Sequence, residues 1–137
     1  MNIRYTIQDF MAKDLITFTE ETPIETAIET FLAEKISGAP VVDSDGNLIG
    51  ILSEKDCMKT LFESSYYNNP GGYVKEYMST ELTTVDVHET LSNVADKFIE
   101  SRFRRFPVLE GDKLVGQISR RDVLRAIDQL SKEDQSS

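Results

Sequence analysis

Apolar residues run through this chain in the same succession of periods twice. Ile16 to Phe18 is a short apolar stretch that predicts a strand. Ile24, Ala27, Ile28, Phe31 and Leu32 then fall at helical spacing, with Thr22 as the expected N-cap, Pro23 in the first turn and Glu25 three residues after the cap. Val41–Val42 and Leu48–Leu52 predict two strands around the polar "DSDGN", whose Asp45-Gly46 suits a tight hairpin. Ser53 opens a last helix with Cys57, Met58, Leu61 and Phe62 expected to face inward.

A shift of 67 residues lays this pattern on itself. Ile7, Phe10 and Met11 meet Val74, Tyr77 and Met78, while Leu15 and Thr17 meet Leu82 and Thr84. The helical stripe meets Leu91, Val94, Ala95, Phe98 and Ile99, and Pro40 meets Pro107. Beyond the proline the offset drops to 66, because "VVDSDGNLIG" is one residue longer than "VLEGDKLVG". A hairpin turn absorbs such a change cheaply. The second helix is expected to be capped more weakly, at Glu89. The expected organisation is one motif over residues 1–62, a linker over 63–73, a second motif over 74–130 and a disordered tail over 131–137. The breakers of "ESSYYNNPGGY" mark the linker, in which Tyr66, Tyr67 and Tyr73 either pin the loop or stack on a ligand or partner.

Composition narrows the function classes. The chain has 137 residues and 39% hydrophobic content, enough for one compact domain or two half-domains. No apolar run reaches the roughly 20 residues of a membrane span, and the start is too polar for a signal peptide, so a cytoplasmic protein with no membrane partner is expected. A formal charge of −9 argues against nucleic acid. The charge is uneven: residues 1–69 hold 5 basic and 12 acidic side chains, residues 70–137 hold 10 and 12. All arginines but one lie in the second half, grouped in "ESRFRRFP" and "SRRDVLRA". The lone Cys57 excludes an internal disulfide and reads as core, as do Met11 and Met78; His88 reads as a surface residue. No metal-ligand spacing, phosphate-cradling glycine loop or nucleophile–base pair occurs, so neither catalysis nor a resident metal or cofactor is expected.

Ser53-x-x-Asp56 and Ser119-x-x-Asp122 carry two readings. Serine at an N-cap with an acid three residues on is a capping box. That box favours Glu or Gln, whereas both copies use Asp after a strand led by Gly50 or Gly116. A short carboxylate at a helix start is also placed to accept both hydroxyls of a vicinal diol. The two roles compete for the aspartate.

The order "TPIETAI…SGAPVVDSDGNLIGILSEKD", written twice from Ile7 to Ile127, resembles the cystathionine-β-synthase (CBS) domain, and the pair resembles a Bateman module. The resemblance implies an α+β fold of two tandem β-α-β-β-α motifs, packed through their sheets about a pseudo-twofold axis. It also implies two shared clefts that bind adenosine-containing ligands, with the aspartate on the ribose. Carried over, one cleft joins Ile51, Ser53 and Asp56 to Leu82, Thr83, Phe103, Arg104 and Arg105. The other joins Ser119, Arg121 and Asp122 to Asp14, Ile16, Ile36, Ser37 and Gly38. Arg104 and Arg105, and more weakly Arg121, are expected at phosphates, since guanidinium forks hold phosphate in bidentate fashion. Leu82 and Phe103 would form the adenine slot. The expected function is regulatory: binding of AMP, ADP, ATP or a dinucleotide by a homodimer that signals to an unidentified regulated protein. The arginines disfavour the cationic S-adenosylmethionine. The alternative is a non-catalytic dimerisation scaffold with empty clefts.

Overall fold

The spacing of apolar residues produces each element, and the turns between them are closed by short polar side chains. A computed structural model describes residues 5–63 and 72–136 of the chain. Helix α1 (Ile24–Glu34) buries Ile24, Ala27 and Phe31 against the hairpin of β1 (Gly38–Val42) and β2 (Leu48–Ser53), followed by the short α2 (Glu54–Met58). The second repeat provides β3 (Val85–Asp86), α3 (Leu91–Glu100), β4 (Arg105–Glu110), β5 (Lys113–Ser119) and α4 (Arg120–Ser136). This is a mixed fold with two small sheets, β1–β2 and β3–β4–β5. Among the described residues no helix is long and apolar enough to cross a membrane.

Both hairpins are antiparallel, with Pro40 opposite Ile51 and Pro107 opposite Gln117. Their turns rest on glycines with positive φ, Gly46 at 85° and Gly111 at 63°, where a side chain would strain the backbone. In the longer turn Asp43 Oδ1 accepts the amides of Asp45 and Asn47, both at 2.9 Å.

Two compact units form, and they are cut differently from the sequence repeats. One is residues 16–82; the other joins 83–136 to the described part of 1–15. Each repeat's lead-in therefore packs on the other repeat's hairpin. In the unit of 16–82, Ile51 and Ser79 exchange backbone hydrogen bonds at 2.9 and 2.8 Å. In its counterpart Ala12 and Gln117 do the same, at 2.8 and 2.9 Å. The amide of Val74 donates to Thr22 O, as that of Ile7 does to Glu89 O. Val74 and Ile7 are wholly buried in the two cores. Fully burying one such side chain stabilises by about 1.5–3 kcal/mol.

Several expected details differ. Thr22 does not cap α1: its Oγ1 accepts from Thr19 N at 3.0 Å, its carbonyl serves Val74, and Pro23 takes the cap position. Thr90, not Glu89, caps α3, accepting from Asn93 N at 3.2 Å. Of Ile16–Phe18, only Phe18 pairs with a strand, through a parallel bridge to Val41. Met58, Leu61 and Phe62 are exposed, not inward, because α2 ends after five residues and tightens into a 3-10 turn over Lys59–Phe62. That change of pitch leaves Cys57 and Thr60 as the buried positions. At the linker's end, Gly72 and Tyr73 dock beside α1: Ile24 N donates to Gly72 O, and Tyr73 bridges Pro23. Tyr66 and Tyr67 lie outside the described residues. The expected tail over 131–137 is instead helical through Ser136, because α4 is anchored by buried Leu130 and runs on past the i,i+4 pair of Asp128 with Lys132.

The lead-ins explain two glycines in the strands. A Cβ on Gly116 would lie 2.7 Å from Met11 Sδ and 2.8 Å from Ala12 O; on Gly50, 2.6 Å from Met78 Sδ and 3.1 Å from Ser79 O. A thioether can swing away, whereas the backbone oxygen moves only with its strand. Gly116→Ala is expected to destabilise the chain by about 1–3 kcal/mol, and Gly50→Ala by less, read from urea unfolding midpoints.

Candidate functional site

The strand-to-helix junctions adopt the capping box in both repeats. Ser53 Oγ accepts from Asp56 N at 3.1 Å, and Asp56 Oδ2 accepts from Ser53 N at 3.0 Å. In the second repeat the equivalent distances are 3.1 Å for Asp122 N to Ser119 Oγ and 2.8 Å for Ser119 N to Asp122 Oδ2. Each remaining carboxylate oxygen meets a cation from the next helical turn: Lys59 at 3.1 Å from Asp56 Oδ1, and Arg125 on Asp122 Oδ1. The structural role of the aspartate is thus filled. Both cations are largely solvent-exposed, so these ion pairs are weak and exchangeable. Burial, then the charges of Asp56 and Glu54, push the Cys57 thiol up to about 11, so it stays protonated at neutral pH and serves packing.

Arginines collect beside the second junction. Arg104, Arg105, Ser119, Arg120, Arg121 and Leu124 line a pocket of about 500 Å³ within the unit that contains 83–136. The pre-proline segment supplies Arg104 and Arg105, and the first turn of α4 supplies Arg120 and Arg121. These parts meet because β4 and β5 pair Arg105 opposite Ser119, and because Arg120 N donates to Arg104 O at 2.9 Å. Among the described residues, no carboxylate forms an ion pair with Arg104, Arg105 or Arg121.

The first repeat builds the same junction without the arginines. Glu54 N donates to Ser37 O at 2.9 Å, the equivalent bond. Ser37, Gly38, Glu54 and Lys55 stand where the second repeat has Arg104, Arg105, Arg120 and Arg121.

Of the expected site residues, Ile16, Ile36, Ser37, Gly38, Ile51, Ser53, Asp56 and Leu82 fall in the unit of 16–82. Asp14, Thr83, Phe103, Arg104, Arg105, Ser119, Arg121 and Asp122 fall in the other. Arg104 and Arg105, expected apart from Ser119 and Arg121, share one pocket with them. Phe103 is partly exposed, its ring 5.8 Å from that of Phe106. Arg120 was not foreseen, although its place directly after the Ser119 cap marked it as a residue of the junction. The pre-helix His88 is exposed, 3.7 Å from Glu110 Oε2.

Comparison with known proteins agrees with the duplicated architecture. The chain is similar to CBSX2 of Arabidopsis thaliana, whose crystal structure in complex with AMP has 29% identity and a TM-score of 0.81, with 93% of this chain and 98% of that chain covered. An uncharacterized protein of Methanocaldococcus jannaschii is 30% identical over 88% of this chain, which spans only 42% of that protein. The gamma-3 subunit of 5'-AMP-activated protein kinase from Sus scrofa is 28% identical over 89% of this chain and 26% of its own length. The model of the CBS domain matches residues 7–63 and 74–129, one match per repeat. With well over half of its length covered by those two matches, the chain belongs to the CBS-domain family.

Proposed function

We propose that this chain is a regulatory module that binds an adenine nucleotide, with the phosphates on Arg104, Arg105 and Arg121. The observation that carries the reading is the arginine pocket. In a chain of net charge −9, acidic partners for three guanidiniums are plentiful, yet none of the described carboxylates takes that place. A volume of about 500 Å³ suits a small ligand. Clustered guanidiniums repel one another until an anion fills the space between them, which favours a phosphate-bearing ligand and opposes a sulfonium such as S-adenosylmethionine. CBSX2, similar in fold and sequence, is a relative with a structure in complex with AMP. The partly exposed face of Phe103 offers a stacking surface for adenine. Ribose hydroxyls would replace Lys59 or Arg125 at the Oδ1 atoms of Asp56 or Asp122, leaving the capping boxes closed. Thr83, in the same unit as these arginines, remains part of the proposed site. The resulting change is read by a regulated partner protein, and the module has no catalysis of its own.

A second reading, the dimerisation scaffold, is favoured by a different observation. Equivalent apolar side chains stay exposed in both units: Leu32 and Ile99, Met58 and Leu124, Leu61 and Ile127. An apolar face kept in both copies fits a helical interface with a second chain. The readings are compatible, and they separate if the purified protein dimerises but binds no nucleotide.

Three outcomes follow from these assignments. Arg104→Ala combined with Arg105→Ala should weaken ATP or AMP far more than adenosine in calorimetric titration. Each lost charge-assisted contact contributes roughly 1.5–3 kcal/mol, or about ten- to a hundredfold in affinity. Equal losses for nucleotide and nucleoside would place the arginines in packing instead. Asp56→Asn and Asp122→Asn keep a capping acceptor but lose the charge, so ribose binding at either one predicts a loss of about 1.5–3 kcal/mol in AMP affinity with little change in unfolding. Affinity unchanged in both variants removes the aspartates from the site. Sedimentation should give a homodimer, and Ile99→Asp with Leu124→Asp a monomer; a wild-type chain sedimenting only at 15.5 kDa would exclude that interface.

A further inference from the structure

We infer that Arg120 is a positioning residue, holding the segment Ser101–Arg104 so that Arg104 and Arg105 reach the anion; the inference rests on the phosphate reading of the pocket. Arg120 lines the pocket, but its donors are directed elsewhere. Its Nε donates to Phe103 O at 2.8 Å, and one Nη to Ser101 O at 3.3 Å. Its own amide donates to Arg104 O at 2.9 Å. One residue thus ties three carbonyls of the pre-proline segment to the first turn of α4. A planar guanidinium suits this task, because its forked N–H groups keep their geometry while bridging two acceptors.

The segment needs such a tie. Arg102 to Arg104 precede β4 and are exposed, and their local contacts include Phe103 N to Ser101 Oγ at 3.3 Å and the tilted contact of Phe103 with Phe106. Two adjacent arginines also repel, which favours a loosened segment in the absence of ligand. The first repeat gives the contrast: Glu54 keeps the amide bond to Ser37 O, but a carboxylate has no proton to donate to carbonyls. That repeat has no arginine in the segment to position. The positioning side chain and the two positioned ones occur together in one repeat and are all absent from the other.

The test uses Arg120→Met and Arg120→Lys in the full chain, with two readouts. Amide hydrogen exchange in the ligand-free protein reads positioning without any nucleotide. Arg120→Met should speed exchange at residues 102–104 by about tenfold and leave the core amides of β4 and β5 unchanged, with Arg120→Lys between the two. Calorimetry then reads coupling, with ATP, adenosine and inorganic pyrophosphate as probes. Arg120→Met should weaken ATP and pyrophosphate by about tenfold and adenosine by less than about twofold. In the background of Arg104→Ala with Arg105→Ala, the same change should cause no further loss. An additive loss would make Arg120 a direct phosphate contact, and unchanged exchange at 102–104 would remove its hold on the segment; either overturns the inference. Equal weakening of ATP and adenosine overturns it as well, as a general structural effect. Wild-type protein that binds pyrophosphate but not ATP overturns the nucleotide reading alone; binding neither overturns both.

Discussion

The exchange of lead-in segments is the constraint on which the remaining structure depends. Residues 7–12 complete the sheet formed by the second repeat's strands, and residues 74–79 complete that of the first. An edge strand left bare presents unpaired amides and carbonyls. Here the edges of β2 and β5 are each met by a two-bond bridge, and the buried Ile7 and Val74 hold the lead-ins in the cores. Close approach is possible only because Gly50 and Gly116 present no side chain to Met78 and Met11. Neither repeat therefore forms its unit from its own residues alone, and the duplication is a structural requirement.

At the strand-to-helix junctions the two repeats diverge in charge while keeping the same backbone hydrogen bond. The amide bond from Glu54 to Ser37 and that from Arg120 to Arg104 have the same length, 2.9 Å. Replacing Ser37 and Gly38 by arginines at the equivalent places alters the electrostatics of a junction whose geometry is already set by the hairpin and the helix start. This is how a duplicated module can keep one junction geometry and collect its arginines in one copy.

The aspartates show how a local signal fixes a helix start. The capping box is present in both junctions, closed by Oδ2. The opposite oxygen meets a largely exposed cation instead of a buried donor, so its pairing is only weakly held. Because a carboxylate has two oxygens, a structural and a ligand role need not exclude each other.

The duplication, the hairpins and the helix stripes were legible in the amino-acid sequence, because they follow from periodicity and turn chemistry acting over a few residues. The helix start near Ser53 and the cores of α1 and α3 follow directly from those rules. Details that depend on distant partners were not legible. Thr22 gives its carbonyl to Val74, fifty-two positions along the chain, and its hydroxyl to Thr19 instead of the helix start. Met58, Leu61 and Phe62 point outward because α2 tightens after five residues. The gathering of Arg104, Arg105 and Arg121 around one pocket, with Arg120 turned onto the segment behind them, required strand register and a loop carbonyl to be placed in space. Residue type alone marks these arginines as anion-seeking; that Arg120 bonds backbone carbonyls while Arg104, Arg105 and Arg121 line the pocket was decided by tertiary structure, because the same guanidinium donors serve either kind of partner.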